Sequence, residues 1–287
     1  MSNQRTYMVI IDPTEPSQPA LERALIAASR ANANILAWLC TYKNTEEMGD
    51  AHSAKDGKHQ QMATMEAWLN ARIAEHQVGD ITITTHIEWN ERWWERAVAM
   101  AAKSGADAVF KSVSSHRNAY RKLFRTSDFY LMRHCASPVL LLHKQHRWQN
   151  NTVLVTLDYE SNDPTHERLN NAALASARRI ATIMGAQLHA MTVRSTADGL
   201  DHLLQGEDEG AYLEGIISDR TGIPFEYIMI QDAIGDVAST ICDAAETLNP
   251  DILVIGTVAR TGMAGMVIGN TAEKVLDRVA CDVLTVC

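Results

Sequence analysis

Two stretches decide the fold: TYMVIIDPTEPSQPALERAL, residues 6–25, and NTVLVTLDYESNDPTHERLNNAAL, residues 151–174. Each runs an apolar strand into an aspartate. A proline-containing turn follows, then a helical pattern of small and apolar residues. The echo continues along the chain. ANANILAWLCTY (31–42) is answered by MGAQLHAMTVRS (184–195), GADAVFKS (105–112) by NPDILVIG (249–256), and MRHCASPVLLLH (132–143) by LDRVACDVLTVC (276–287). Asp107 and Asp251 stand 144 residues apart, and Val139 and Val283 keep the same offset. The chain therefore reads as a tandem duplication of about 140 residues per copy, an ordinary domain size. The expected domains are 1–146 and 150–287, joined by the polar stretch RWQNN at 147–151.

Within each copy the pattern predicts strand, helix, strand, long variable helix, strand, helix, strand, loop plus helix, strand. In the second copy the strands are expected near 152–158, 187–193, 225–230, 251–256 and 282–286. Several are continuous apolar runs, as expected where helices cover both faces of a sheet. Strands alternating with helices predict an α/β fold with a five-stranded parallel sheet in each copy. Asp236 is placed to cap the helix VASTICDAAETL, and Asn249-Pro250 to stop it. The last strand of each copy is short and apolar, so it needs a partner at the sheet edge. The other copy can supply one, which predicts a pseudo-two-fold pair of domains.

Composition excludes several classes. No apolar run approaches the eighteen or so residues that span a bilayer. The N-terminus MSNQRTYMVIIDP lacks a secretory pattern. The five cysteines are scattered, with no CxxC pair, so reduced thiols and a cytoplasmic location are expected. Residues 1–148 hold 18 Lys+Arg against 15 Asp+Glu, whereas residues 149–287 hold 8 against 20. An acidic second half and a near-neutral first half offer no basic face for nucleic acid.

A glycine-rich loop, VIGTVARTGMAGMVIGNTAEKV at 254–275, joins an apolar strand to a helix start, a recurrent way to hold phosphate. With the opening stretches, this loop resembles the universal stress protein family in its tandem form, and within it the E type. The resemblance covers essentially the whole chain. It implies an adenine nucleotide alpha hydrolase-like, Rossmann-like fold and a regulatory or protective binding role in bacterial stress response. ATP-binding members carry G-x2-G-x9-G-S/T. Here Gly256 and Gly269 match, Ala259 replaces the second glycine, and Asn270 replaces the Ser/Thr.

The resemblance places a nucleotide site in the second copy. Asp158 lies beside the adenosine and Val193 is near the base. The phosphate loop comprises Gly256, Thr257, Arg260, Gly262, Gly269, Asn270 and Thr271. Asn270 is also a good helix N-cap, Thr271 offers a hydroxyl in place of the missing one, and Arg260 can grip phosphate oxygens. The implied ligand is ATP with magnesium. The alternatives are a ligand-free interaction protein and a binder of a small apolar or anionic metabolite. In the first copy Ser112, Ser115, Arg125 and Thr126 stand at the aligned positions, and the phosphate-loop glycines are gone. Arg117, Arg121, Lys122 and Arg125 form either a side-chain anion site or a solvated basic face.

Trp89, Trp93 and Trp94 cannot share one helix face, and core packing is the expectation for one or two of them. His143 and His146 lack companions at zinc spacing. No GxSxG, HExxH, P-loop or first-strand GxGxxG is present, so no dedicated catalysis is expected, and at most slow ATP hydrolysis. Self-association is expected, within the chain and as a homodimer, with no membrane partner.

Overall fold

The computed structural model describes residues 4–43, 54–76, 79–113, 126–158, 164–194, 228–234, 236–257 and 269–287. The first repeat contains β1 (Thr6–Ile11), α1 (Pro19–Ala31), β2 (Asn34–Thr41), α2 (Ala54–Ala74) and β3 (Ile83–Trp89). It continues through α3 (Trp93–Ser104), β4 (Ala108–Ser112), α4 (Thr126–His134) and β5 (Val139–Leu142). The second contains β6 (Thr152–Leu157), α5 (Pro164–Met184), β7 (Gln187–Arg194), β8 (Ile228–Ile234), α6 (Val237–Leu248), β9 (Ile252–Gly256), α7 (Asn270–Leu276) and β10 (Asp282–Val286). The order expected from the sequence holds throughout the first repeat. In the second, the long variable helix and residues 225–227 of the expected third strand fall outside the described residues, and that strand is described over Ile228–Ile234.

The described residues form two compact units, one within 1–112 and 135–137, the other within 113–134 and 138–287. In the first unit the strand order is β3-β2-β1-β4, all parallel. In the second it is β5-β10-β9-β6-β7-β8, parallel except that β5 runs antiparallel to β10. The units thus differ from the sequence repeats at α4 and β5. The cause is pairing of the two apolar last strands: Leu141 lies opposite Val283 and Leu140 opposite Leu284. The Thr285 hydroxyl adds a bond to the Val139 carbonyl at 3.2 Å. Each of these strands is buried along its length, so an unpaired edge would strand its backbone groups.

The repeats share one register. Thr6 pairs with Asn34, as Thr152 pairs with Gln187. Tyr7 pairs with Ala108, as Val153 pairs with Ile252. The repeated aspartates explain part of this precision. Asp107 accepts a bond from the Thr6 N–H at 2.9 Å. Asp251 accepts from the N–H groups of Gln149 and Asn150 at 2.8 and 3.0 Å. Asp107 therefore fixes the first residue of β1, Asp251 fixes the chain just ahead of β6, and the polar joining segment is pinned. Helix ends follow sequence chemistry: Asp236 accepts from Ser239 N–H at 3.0 Å, and Asn32, Gly105 and Asn249 adopt the left-handed conformation after α1, α3 and α6.

Candidate functional site

In the second unit the carboxyl ends of β6, β7 and β9 open into a cavity of about 470 Å³. Open α/β sheets bind ligands at this edge, and the volume suits a small molecule. Thr156, Leu157 and Asp158 come from β6 and the residue after it. Met191 and Val193 come from β7, and Ile255 and Gly256 from β9. α5 contributes His166, Leu169 and Asn170, α6 contributes Val237 and Ile241, and residues 269–272 with Val275 also line it. Aliphatic side chains dominate the walls, and polar groups gather at Asp158 and at the start of α7.

Asp158 is held by its backbone and offered by its side chain. The buried Asn170 amide donates to the Asp158 carbonyl at 2.6 Å and accepts from its N–H at 3.0 Å. A side-chain amide fits this task because it carries a donor and an acceptor together. The carboxylate is left more than half exposed, 3.8 Å from His166 Nε2. Asn170 is legible as one polar residue on the buried face of α5, in step with Ala173, Leu174 and Ala177. The first unit repeats the device with another residue: Gln18 donates to the Asp12 carbonyl at 2.7 Å and accepts from its N–H at 3.2 Å.

Six of the nine residues expected in the nucleotide site line this cavity: Asp158, Val193, Gly256, Gly269, Asn270 and Thr271. The structure adds detail at several of them. Gly256 is held close to α5: a Cβ there would lie 2.7 Å from both Cγ and Cδ2 of Leu169. Gly269 has φ −63°, ordinary for any residue, and it is itself the N-cap of α7, so Asn270 is the first helical residue and not the cap. A Cβ at Gly269 would meet nothing within 4 Å. Thr257 does not face the cavity. Its buried hydroxyl donates to the Val286 carbonyl at 3.1 Å, and its N–H donates to the same oxygen at 2.8 Å. Arg260 and Gly262, with Ala259, lie outside the described residues, as do Arg117, Arg121, Lys122 and Arg125 of the first repeat.

Residues that sequence reasoning missed include His166, Leu169, Asn170, Met191, Val237 and Ile241. His189 lies two residues before Met191 on β7, 5 % exposed, its Nδ1 without a partner among the described residues. Burial lowers its pKa, so the neutral imidazole is favoured. Burial likewise pushes the thiol of Cys242 up, and that of Cys281 up to about 12. These are inert packing thiols. Trp89, Trp93 and Trp94 are each half-buried rather than core. His146 bonds the Asp251 carbonyl at 2.9 Å. Among the described residues no group of three His, Cys, Asp or Glu side chains is placed to hold a metal.

A duplicated α/β fold with parallel strands, and a cavity at the carboxyl edge of β6, β7 and β9, defines a tandem Rossmann-like class of protein. The model of the Universal stress protein family matches residues 4–143 and 150–286, and the chain belongs to that family. It is 26 % identical to "Universal stress protein E" of Escherichia coli K12, over all of this chain and 95 % of that one. It is 20 % identical to the "Universal stress protein E homolog" of Haemophilus influenzae, over 98 % and 96 % of the two chains. Among solved structures, a putative universal stress protein of Pseudomonas aeruginosa UCBPP-PA14 shares the fold with a TM-score of 0.75 at 24 % identity, covering 99 % and 93 %. A universal stress protein of Archaeoglobus fulgidus matches with a TM-score of 0.72 at 14 % identity, covering 98 % and 97 %. No described helix is long and apolar enough to cross a membrane.

Proposed function

We propose that this universal stress protein acts in stress response as a ligand-binding regulator, and that its second-repeat cavity takes an adenine nucleoside or nucleotide. The observation that supports this is the meeting of an exposed, backbone-clamped carboxylate at Asp158 with an aliphatic cavity that ends at Asn270 and Thr271. Met191 and Val193 offer apolar contact to a base. Asp158 can accept hydrogen bonds from ribose hydroxyls, and Asn270 and Thr271 carry donors for phosphate oxygens. Magnesium would arrive with the phosphates. Binding, not turnover, is the role: the pair Asp158 and His166 is the titratable chemistry at the cavity, and it is suited to holding a diol. The repeats 1–146 and 150–287 are the inherited domains, paired within the chain and able to pair again as a homodimer in the cytoplasm.

Isothermal titration with adenosine, and with ATP plus magnesium, tests the reading. Binding that weakens in Asp158→Ala supports it, and no heat at millimolar ligand removes it. A second reading is favoured by the aliphatic walls: an amphipathic metabolite whose apolar part lies along Val193, Val237 and Ile241. Native mass spectrometry of the protein as purified separates the two by ligand mass.

A further inference from the structure

The shared register identifies, position by position, what the first unit carries where the second unit has its cavity. Ile10 pairs with both Trp38 and Lys111, so these three form one row across β2, β1 and β4. In the second unit Thr156 pairs with Met191, and Ile255 is the next residue along β9 after the Val155–Val254 pair; all three line the cavity. The helix after the third strand begins at Trp93 in one repeat and at Val237 in the other. Ile255 and Val237 both line the cavity. In the first unit the residues at these two positions meet: the Lys111 ammonium sits 5.5 Å from the Trp93 ring centre, a cation–π distance. The same ammonium donates to the Ser112 carbonyl at 2.8 Å. Lys111 is 7 % exposed and Trp38 is fully buried.

The remaining positions are also engaged. Ser112, at the place of Gly256, accepts through its hydroxyl from the Ala20 N–H at 3.0 Å, which caps the shorter helix α1. The Asp12 carboxylate, counterpart of Asp158, accepts from the Thr14 N–H and hydroxyl at 3.0 and 2.6 Å. Cys40, counterpart of Val193, donates to the Asn90 carbonyl at 3.4 Å.

The geometry points to one ligand position per chain: the first repeat closes its counterpart of the cavity with Trp38, Trp93 and Lys111, the ammonium occupying space that a ligand takes in the second repeat. This rests on the cavity reading given above. The chain is then a single-input binder, with one repeat that responds to ligand and one that is permanently filled.

Three measurements on the full-length protein decide it. Calorimetric titration with adenosine should give one site per wild-type chain, and two sites would overturn the inference. Val237→Trp brings the first repeat's bulk to the mouth of the second cavity and should weaken adenosine at least about tenfold, with far-ultraviolet circular dichroism unchanged. Wild-type affinity in that variant would also overturn it. Acylation by an N-hydroxysuccinimide ester, read by mass spectrometry without ligand, should spare Lys111 while the exposed Lys55 and Lys103 react. A Lys111 that reacts as fast as they do would show an open first repeat. The acylation result stands even if the wild type takes up no adenosine, which would remove the nucleotide reading alone.

Discussion

Replacing Gly256 by alanine tests why a glycine stands at the end of β9. The added Cβ lies 2.7 Å from Leu169 Cγ, 2.7 Å from Cδ2 and 3.3 Å from Cδ1. Ordinary carbon–carbon contact is about 3.5–4.0 Å, so the overlap approaches an ångström. Cγ is the branch point of the leucine, and turning the methyl groups does not relieve it. Leu169 must change its first rotamer or α5 must shift outward. Overpacking of this kind costs about 1–3 kcal/mol. Urea denaturation should show a lower midpoint at unchanged slope, since the surface exposed on unfolding is the same. Heating should show a melting temperature lower by about 2–4 °C per kcal/mol for a unit of this size. Trimming the partner should remove the clash, so Gly256→Ala with Leu169→Ala should be less destabilised than the two single effects summed. Coupling of about 0.5–3 kcal/mol is the range for residues in contact. Gly256→Ala at wild-type stability, with no coupling to Leu169→Ala, would refute the packing account.

Three further outcomes follow from buried groups. Trp148 donates to the buried Asp282 carboxylate at 2.8 Å, so Trp148→Phe should cost about 1.5–3 kcal/mol in the same urea assay; a loss below half a kilocalorie would contradict it. Burial lowers the His189 pKa below its ordinary 6.5, so the folded state binds the proton less well than the unfolded chain. The stability held by neutral His189 is fully present above about pH 6.5 and is lost as pH falls through the lowered value. His189→Gln should therefore flatten the decline of stability on acidification from neutral pH, and parallel wild-type and variant curves would oppose the assignment. Burial pushes the thiols of Cys40 and Cys281 up to about 11 and about 12, so a disulfide-exchange reagent at pH 8 should leave Cys281 unmodified in the native protein. All five cysteines should react in denaturant, and fast native labelling of Cys281 would show that β10 opens.

The legible parts of the site were those with local chemistry. Asp158 ends an apolar run, and Asp236 and Asn249 carry cap and stop signals in their own side chains. Glycines were harder to interpret, because glycine serves both close packing and phosphate approach. Gly256 reads as a motif position, and the structure adds that Leu169 rests against it. Thr257 looked like a loop residue, yet it is drawn inward by the Val286 carbonyl, a partner 29 residues away. Asn170 was invisible as a clamp because its target, Asp158, is twelve residues earlier and joins it only through helix packing.

By itself the sequence determined the duplication, the order of the described strands and helices, the parallel character of the sheets and the family. These follow from periodicity, caps and repeated aspartates, all written within short stretches of chain. The tertiary structure decided the rest. The two apolar last strands pair antiparallel, because each needs a hydrogen-bonding edge that its own repeat does not provide. The second repeat lines a cavity with Met191, Thr156 and Ile255, whereas the first carries Trp38 and Lys111 in the matching row with Trp93 of α3 beside Lys111, because the strand register sets together side chains that are distant in sequence. Sequence offsets align Lys111 with Ile255, but packing against Trp93 or across from Val237 makes one position a plug and the other a wall.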